Sequence, residues 1–245
     1  MFQLSIEAAL AFVRKAMDEL TSVEDKGVLA DPDALDLQKL VEGSIVEAVV
    51  KTHSQAPAYL LDGKSAGTVS NMHVSDKVMY IRFETEVLRI ISVQAGDSNV
   101  VVTEFIPEDS AEGRKQLNRY VRGVPDDPRV VVMQVWEEGN HRPQLRYYTT
   151  EEGDEASVDI KYIPYPKIID GSVNSDIPEL EYPATGIAEG DEPTLTPMEK
   201  TPVVEICPRL EYAVLNELTA MVLDILNEHD KASLYRAKSK EYMEI

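Results

Sequence analysis

The hydrophobic period of this 245-residue chain changes twice along its length, so the chain cannot be all helix or all sheet. Near the start, Ile6, Ala9, Leu10, Val13, Ala16, Met17 and Leu20 recur at steps of three and four. That spacing predicts a helix over about residues 3–22 with an apolar stripe on one face. Glu24 to Gly27 ends it. Asp31-Pro32 then reads as an N-cap with proline in the first turn, and Leu37, Leu40, Val41, Ile45, Ala48, Val49 and Thr52 form a second stripe that Pro57 stops.

From about Val78 the period becomes two. Six strands are expected: Val78 to Phe83, Glu86 to Val93, Asn99 to Ile106, Arg129 to Trp136, Gln144 to Thr149 and Ser157 to Ile163. Gly96-Asp97, Gly139-Asn140 and Gly153-Asp154 supply turn chemistry between them. Ser110 to Val121 has helical composition with Ser110 as its cap, so the expectation is an antiparallel meander interrupted by one short helix. Residues 171–202 differ in kind, with five prolines and seven acidic residues against Lys200 and few large apolar side chains. Beyond them Pro208 opens a third helix with Leu215, Leu218, Val222, Ile225 and Leu226 in a stripe. Asp230 caps a fourth helix through Leu234, Tyr235, Tyr242 and Met243.

These readings predict an α+β fold: an N-terminal and a C-terminal helix pair forming a bundle from residues 1–62 and 203–245. An antiparallel β region, residues 63–170 with a short helix at 110–121, is inserted between them, and residues 171–202 form a long acidic, proline-rich loop or arm. No internal repeat is visible.

Composition narrows the chemistry. The formal charge of -20 opposes stable binding to a phosphate backbone, which depends on Lys and Arg displacing counterions. Ala8 to Val13 is bounded by Glu7 and Arg14 with no basic stretch before it, so neither a signal peptide nor a membrane span is expected. The single Cys207, between Ile206 and Pro208, reads as a small buried hydrophobe rather than a nucleophile. Gly63-Lys64-Ser65 resembles the end of a phosphate loop, but Ala58 stands where the earlier glycine is required. His53, His73, His141 and His229 have no metal-ligand spacing, and no Gly-x-Ser-x-Gly elbow occurs. The acidic pairs Glu108-Asp109, Glu137-Glu138 and Glu151-Glu152 sit at turn or strand ends, where solvation accounts for them. No catalytic residue, metal or cofactor is therefore expected. Lys161 to Lys167 carries Tyr162 and Tyr165 with Pro164 and Pro166 and reads as a strand end on the core or as a contact surface.

In order along the chain stand Asp36 to Ala48 followed by Ala56-Pro57, Val87 to Val93, Glu104 to Ser110, Gln116 to Gly123, Pro128-Arg129, Leu210 to Ala220, and Lys231 to Ala237. This succession resembles the head-to-tail connector proteins of tailed bacteriophages, the portal adaptor or neck-ring family. The resemblance implies a non-enzymatic virion subunit that assembles as a homo-oligomeric ring, commonly a dodecamer, beneath the portal protein. Such a ring lines the DNA exit channel and joins head to tail. Its implied partners are the portal, neighbouring copies and other neck or tail proteins, with DNA only as transiting cargo and no membrane. The implied location is the virion, and the host cytoplasm during assembly. Portal contact is expected on the last helix at Lys231, Leu234, Tyr235, Arg236, Lys238, Tyr242 and Met243, and inter-subunit contact at Tyr162, Tyr165, Arg119 and Arg122. The alternatives are a head-completion or stopper protein lower in the neck and, from a different class, a cytoplasmic hydrolase-type enzyme.

Overall fold

A computed structural model describes residues 1–20, 37–66, 71–75, 78–83, 85–95, 100–124, 127–133, 136–137, 140–148, 158–171 and 201–244. In chain order the elements begin β1 (Phe2–Ser5), α1 (Ile6–Leu20), α2 (Leu37–Gln55), β2 (Lys64–Ala66), β3 (Asn71–Ser75), β4 (Val78–Arg82) and β5 (Val87–Ala95). Next come β6 (Phe105–Pro107), α3 (Ala111–Gln116), β7 (Arg129–Met133), β8 (Trp136–Glu137), β9 (Asn140–His141), β10 (Gln144–Tyr148) and β11 (Val158–Pro164). β12 (Ile168–Gly171), β13 (Thr201–Ile206), α4 (Glu211–Ile225) and α5 (His229–Glu244) complete the chain. The protein is mixed helix and sheet, an α+β fold.

Apolar residues of three helices meet in one core. Ala9, Leu10 and Val13 of α1, Val41, Ile45, Ala48 and Val49 of α2, and Val214, Leu218 and Val222 of α4 share one buried core. The same core takes Leu4 from β1 and Val204 and Ile206 from β13, strands that the local period does not announce. β1 pairs antiparallel with β13, Phe2 opposite Ile206 and Leu4 opposite Val204, and β12 pairs along the other edge of β13. The first helix therefore starts at Ile6 rather than about residue 3, and a strand, β13, precedes the helical turn at Pro208.

The central region is two sheets rather than a meander. One has strand order β3-β4-β10-β7-β6 and the other β2-β11-β5. Met79, Ile81, Val130, Leu145 and Tyr147 from the first meet Val87, Val93, Val158 and Ile160 from the second in a shared core. Along β4 the alternation is visible, with Met79 and Ile81 buried and Tyr80 exposed. β6 runs parallel to β7, so the region is not wholly antiparallel. A parallel pair needs a crossover connection, and α3 lies on it. The expected strand from Asn99 to Ile106 is reduced, among the described residues, to a bridge between Val102 and Val93 and to β6. Gly96-Asp97, Gly139, Gly153-Asp154 and Asp31-Pro32 lie outside the described residues.

A third core of Ala56, Leu60, Leu61, Ile163, Cys207, Leu210, Ala213 and Met243 joins helices to sheets. Across this junction Arg89 of β5 donates to Ala56 O at 2.5 Å, placing a cation at the C-terminal end of α2, where the helix dipole favours it. A half-buried ionic chain ties three helices: Lys51 of α2 to Glu217 of α4 at 2.5 Å, Glu217 to Arg236 of α5 at 3.8 Å, and Arg236 to Asp224. His229 and then Arg236 hold the Asp224 carboxyl below its ordinary range, with burial opposing them.

Ile206 belongs to both the β1–β13 ladder and the helical core. Ile206→Ala is expected to lower the unfolding free energy by about 2–5 kcal/mol, read as a reduced denaturant midpoint with an unchanged slope.

Candidate interaction site

The residues with latent chemistry are absorbed by packing. His53 is fully buried, and its Nε2 accepts from the Cys207 backbone N–H at 3.2 Å, so the ring joins α2 to the end of β13. Burial pushes the His53 pKa down to about 4. Burial also raises the Cys207 thiol pKa, which leaves it protonated and unreactive. Lys64, from the phosphate-loop-like triplet, pairs with Glu205 at 2.6 Å. Among the described residues no group of three or more His, Cys, Asp or Glu is arranged to hold a metal ion, and no helix is long and apolar enough to cross a membrane.

The surface is less ordinary. After β6, Ser110 caps α3: its Oγ accepts from Gly113 N at 2.9 Å and donates to Pro107 O at 2.6 Å. Gly113 lies against β6 so closely that an added Cβ would be 2.3 Å from Pro107 O. The helix stops at Gln116 instead of continuing to Val121, because Asn118 Oδ1 accepts from Tyr120 N at 3.1 Å and turns the backbone aside. The buried Gln116 side chain then accepts from Gly123 N at 3.0 Å and closes the turn from within. An added Cβ at Gly123 would be 2.6 Å from Arg129 N, so the loop is pressed against the start of β7. Val124 and Asp127 exchange backbone bonds, and Asp127 pairs with Arg129 at 2.7 Å.

This internally braced knuckle presents apolar side chains to solvent: Leu117 is 64% exposed, Tyr120 80%, Val121 57% and Val124 48%. Arg119 stands 4.7 Å over the Tyr120 ring and donates to its hydroxyl, while Arg114 donates to Asp109 O. Four large apolar groups held out by a rigid backbone, among arginines and on an acidic chain, have the composition of an interface core. Arg119 and Arg122, expected at inter-subunit contacts, both lie on this knuckle. Tyr162 and Tyr165 do not join them. Tyr162 is half-buried with its ring 5.5 Å from Phe83, whereas Tyr165 is exposed beside the Lys167–Glu86 ion pair.

The last helix divides its predicted contact residues. Tyr235 and Met243 are buried and serve the cores beneath α5, which corrects their assignment to an outer surface. Arg236 is taken by Glu217 and Asp224, and Lys231 pairs with Glu228 at 3.3 Å. Leu234 and Tyr242 are exposed. Tyr242 stacks on Tyr212 of α4 with centroids 5.5 Å apart, and Lys238 Nζ sits 4.4 Å over the Tyr235 ring. With Phe12 and Lys15 of α1, these side chains line a groove of about 640 Å³ between α1, α4 and α5. Phe12, Lys15 and Tyr212 were not foreseen, nor were Leu117, Tyr120, Val121 and Val124. The latter four recur at i, i+3, i+4 and i+7 within an arginine-rich run, a spacing that reads as one face of a helix and so conceals their exposure.

No protein-family model matches this chain. No curated protein matches it either.

His53 stays neutral in the fold down to about pH 4, whereas the unfolded imidazole takes a proton below its ordinary value near 6.5. Its contribution is therefore complete above pH 6.5 and is lost as the pH falls towards 4, about 3 kcal/mol in all. Urea unfolding at pH 7.5 and 4.5 is expected to show the larger loss in the native chain and a smaller one in His53→Gln. Gln116→Ala removes the internal brace, and trypsin cleavage after Arg119 and Arg122 is expected to accelerate at least tenfold with little change in melting temperature.

Proposed function

We propose that this chain is a structural subunit of a closed ring, a neck-ring adaptor that binds beneath a phage portal and connects head to tail around the DNA exit channel. The observation that carries the reading is the presence of two dissimilar exposed surfaces built on different elements: the arginine–tyrosine knuckle of residues 117–124 and the tyrosine–lysine face of α4 and α5. A heterologous ring needs two different patches per subunit, and a further partner needs a surface left outside that contact. The order of sequence runs described above supports the same family. In this reading the helix pairs from the two chain ends act together as one bundle carrying the portal-facing surface. Leu234, Lys238 and Tyr242 supply its contacts, and the knuckle contacts the next copy.

Net charge suits such a ring. At a formal -20 per chain, a channel wall of these subunits repels the DNA backbone and discourages sticking during passage. No catalytic group is needed, and the reaction performed is assembly.

Native mass spectrometry of the purified chain, alone and with portal, tests this. The expected result is a single closed oligomer on the portal, with Leu234→Glu combined with Lys238→Glu weakening portal attachment at least tenfold while the melting temperature holds. Point substitutions are the suitable probe, because truncation at residue 231 would strip Tyr235 and Met243 from the core. A chain that associates with neither itself nor the portal removes the proposal.

A further inference from the structure

The knuckle is an exposed apolar surface whose occupant is constrained by charge. It carries Arg114, Arg119 and Arg122 beside Leu117, Tyr120, Val121 and Val124, and three acids of the neighbouring strands and turns are engaged in ion pairs. Glu112 pairs with Lys115 at 3.3 Å, Asp127 pairs with Arg129 at 2.7 Å, and Glu108 pairs with Arg146 at 3.1 Å. A fitting partner offers carboxylates for the guanidinium groups interleaved with apolar side chains for the tyrosine, leucine and valines.

Residues 172–200 of this chain have that composition. Asp176, Glu179, Glu181, Glu189, Asp191, Glu192 and Glu199 face a single Lys200 in sequence, and Ile177, Leu180, Tyr182, Leu195 and Met198 are interspersed among them. The segment's attachment is also defined. It leaves from Gly171 and returns at Thr201, which are paired neighbours at the end of the β12–β13 hairpin. Both ends are thus fixed at one point, and the greatest reach of a segment of this length, out and back, is roughly 45 Å at about 3.1 Å per residue.

We propose that residues 172–200 of one copy dock on the 117–124 knuckle of a neighbouring copy, as the strap of the inter-subunit contact. The inference rests on the ring reading and names the partner of its knuckle. Two features favour a neighbour over the same chain. The hairpin belongs to the sheet packed on α1, α2 and α4, whereas the knuckle sits on the β6–β7 crossover of the five-stranded sheet, over a separate core. Like-charged subunits at a formal -20 also repel, so adhesion between copies requires a local meeting of opposite charges. The bracing by Gln116 and Ser110 fits this role, because a surface fixed beforehand loses little freedom on binding.

Cross-linking of the full chain tests the strap. Cys207 is buried, so a cysteine placed at Tyr120→Cys in one preparation and at Leu180→Cys in another provides the accessible thiols. Mild oxidation of the mixed, assembled proteins is expected to give disulfide-linked mixed dimers, reduced at least tenfold when Arg119→Glu and Arg122→Glu accompany Tyr120→Cys. Tyr59→Cys, at another exposed tyrosine, serves as the background control. No mixed dimer above that control overturns the proposal. So does a dilute chain carrying both substitutions that closes only an intramolecular disulfide. Native mass spectrometry of the same samples separates the two ideas. A closed oligomer without the cross-link keeps the ring and removes the strap. Cross-linked pairs that never close keep the strap and remove the ring.

Discussion

The pairing of β1 with β13 is the constraint on which the rest of the molecule depends. It sets Phe2 to Ser5 against Val203 to Ile206, nearly the whole chain apart in sequence. Because Leu4, Val204 and Ile206 also point into the helical core, this ladder decides where α1 and α4 meet and where α2 must lie to cover them. A contact of such sequence separation carries a high closure cost. It forms because each residue that joins the ladder also buries apolar surface under three helices.

From that junction the order passes outward to the sheets. His53 and Cys207 stand beside the end of β13, and Arg89 reaches from β5 to the last carbonyls of α2. Ile163 of β11 enters the same core as Leu210 and Met243, so helices and sheets share a packed boundary rather than a linker. The sandwich in turn holds β6 and β7, and their crossover holds α3 and the knuckle. A surface loop with four exposed apolar side chains is therefore connected to the core by hydrogen-bonded and packed contacts at each step.

The long helices were legible because each has a repeated stripe, and Ser110 was legible because a cap announces itself locally. The strands of the β1-β13-β12 sheet were not, whereas β4, β7 and β10 lie where alternation placed them. β1, β12 and β13 acquire their structure from partners distant in sequence, and four to six residues carry little signal. α4 shows a further limit: from Ala213 to Ala220 every residue is buried, including Asn216, Glu217 and Thr219. A helix covered on most sides has no single stripe, so its polar residues read as surface. Tyr235 and Met243 were expected at a partner surface because the family resemblance implied it, whereas Tyr235 packs with Ala16 of α1 and Ala220 and Leu223 of α4, and Met243 with Ala213 of α4. The arginines of the candidate site were visible in the sequence. The exposure of Tyr120 and its neighbours was not, because it depends on Gln116 and Gly123 closing a turn that ends the helix early.

A rigid, arginine-edged apolar surface on a highly acidic chain is the feature that most needs a partner, and the proposed ring would supply one. Covalent labelling of Tyr120, quantified by mass spectrometry in the isolated chain and in the portal-bound oligomer, tests this most directly. Tyr120 is expected to label rapidly when the chain is alone and at least tenfold more slowly in the assembly, while Tyr59 changes little. Equal labelling of Tyr120 in both states would contradict the account.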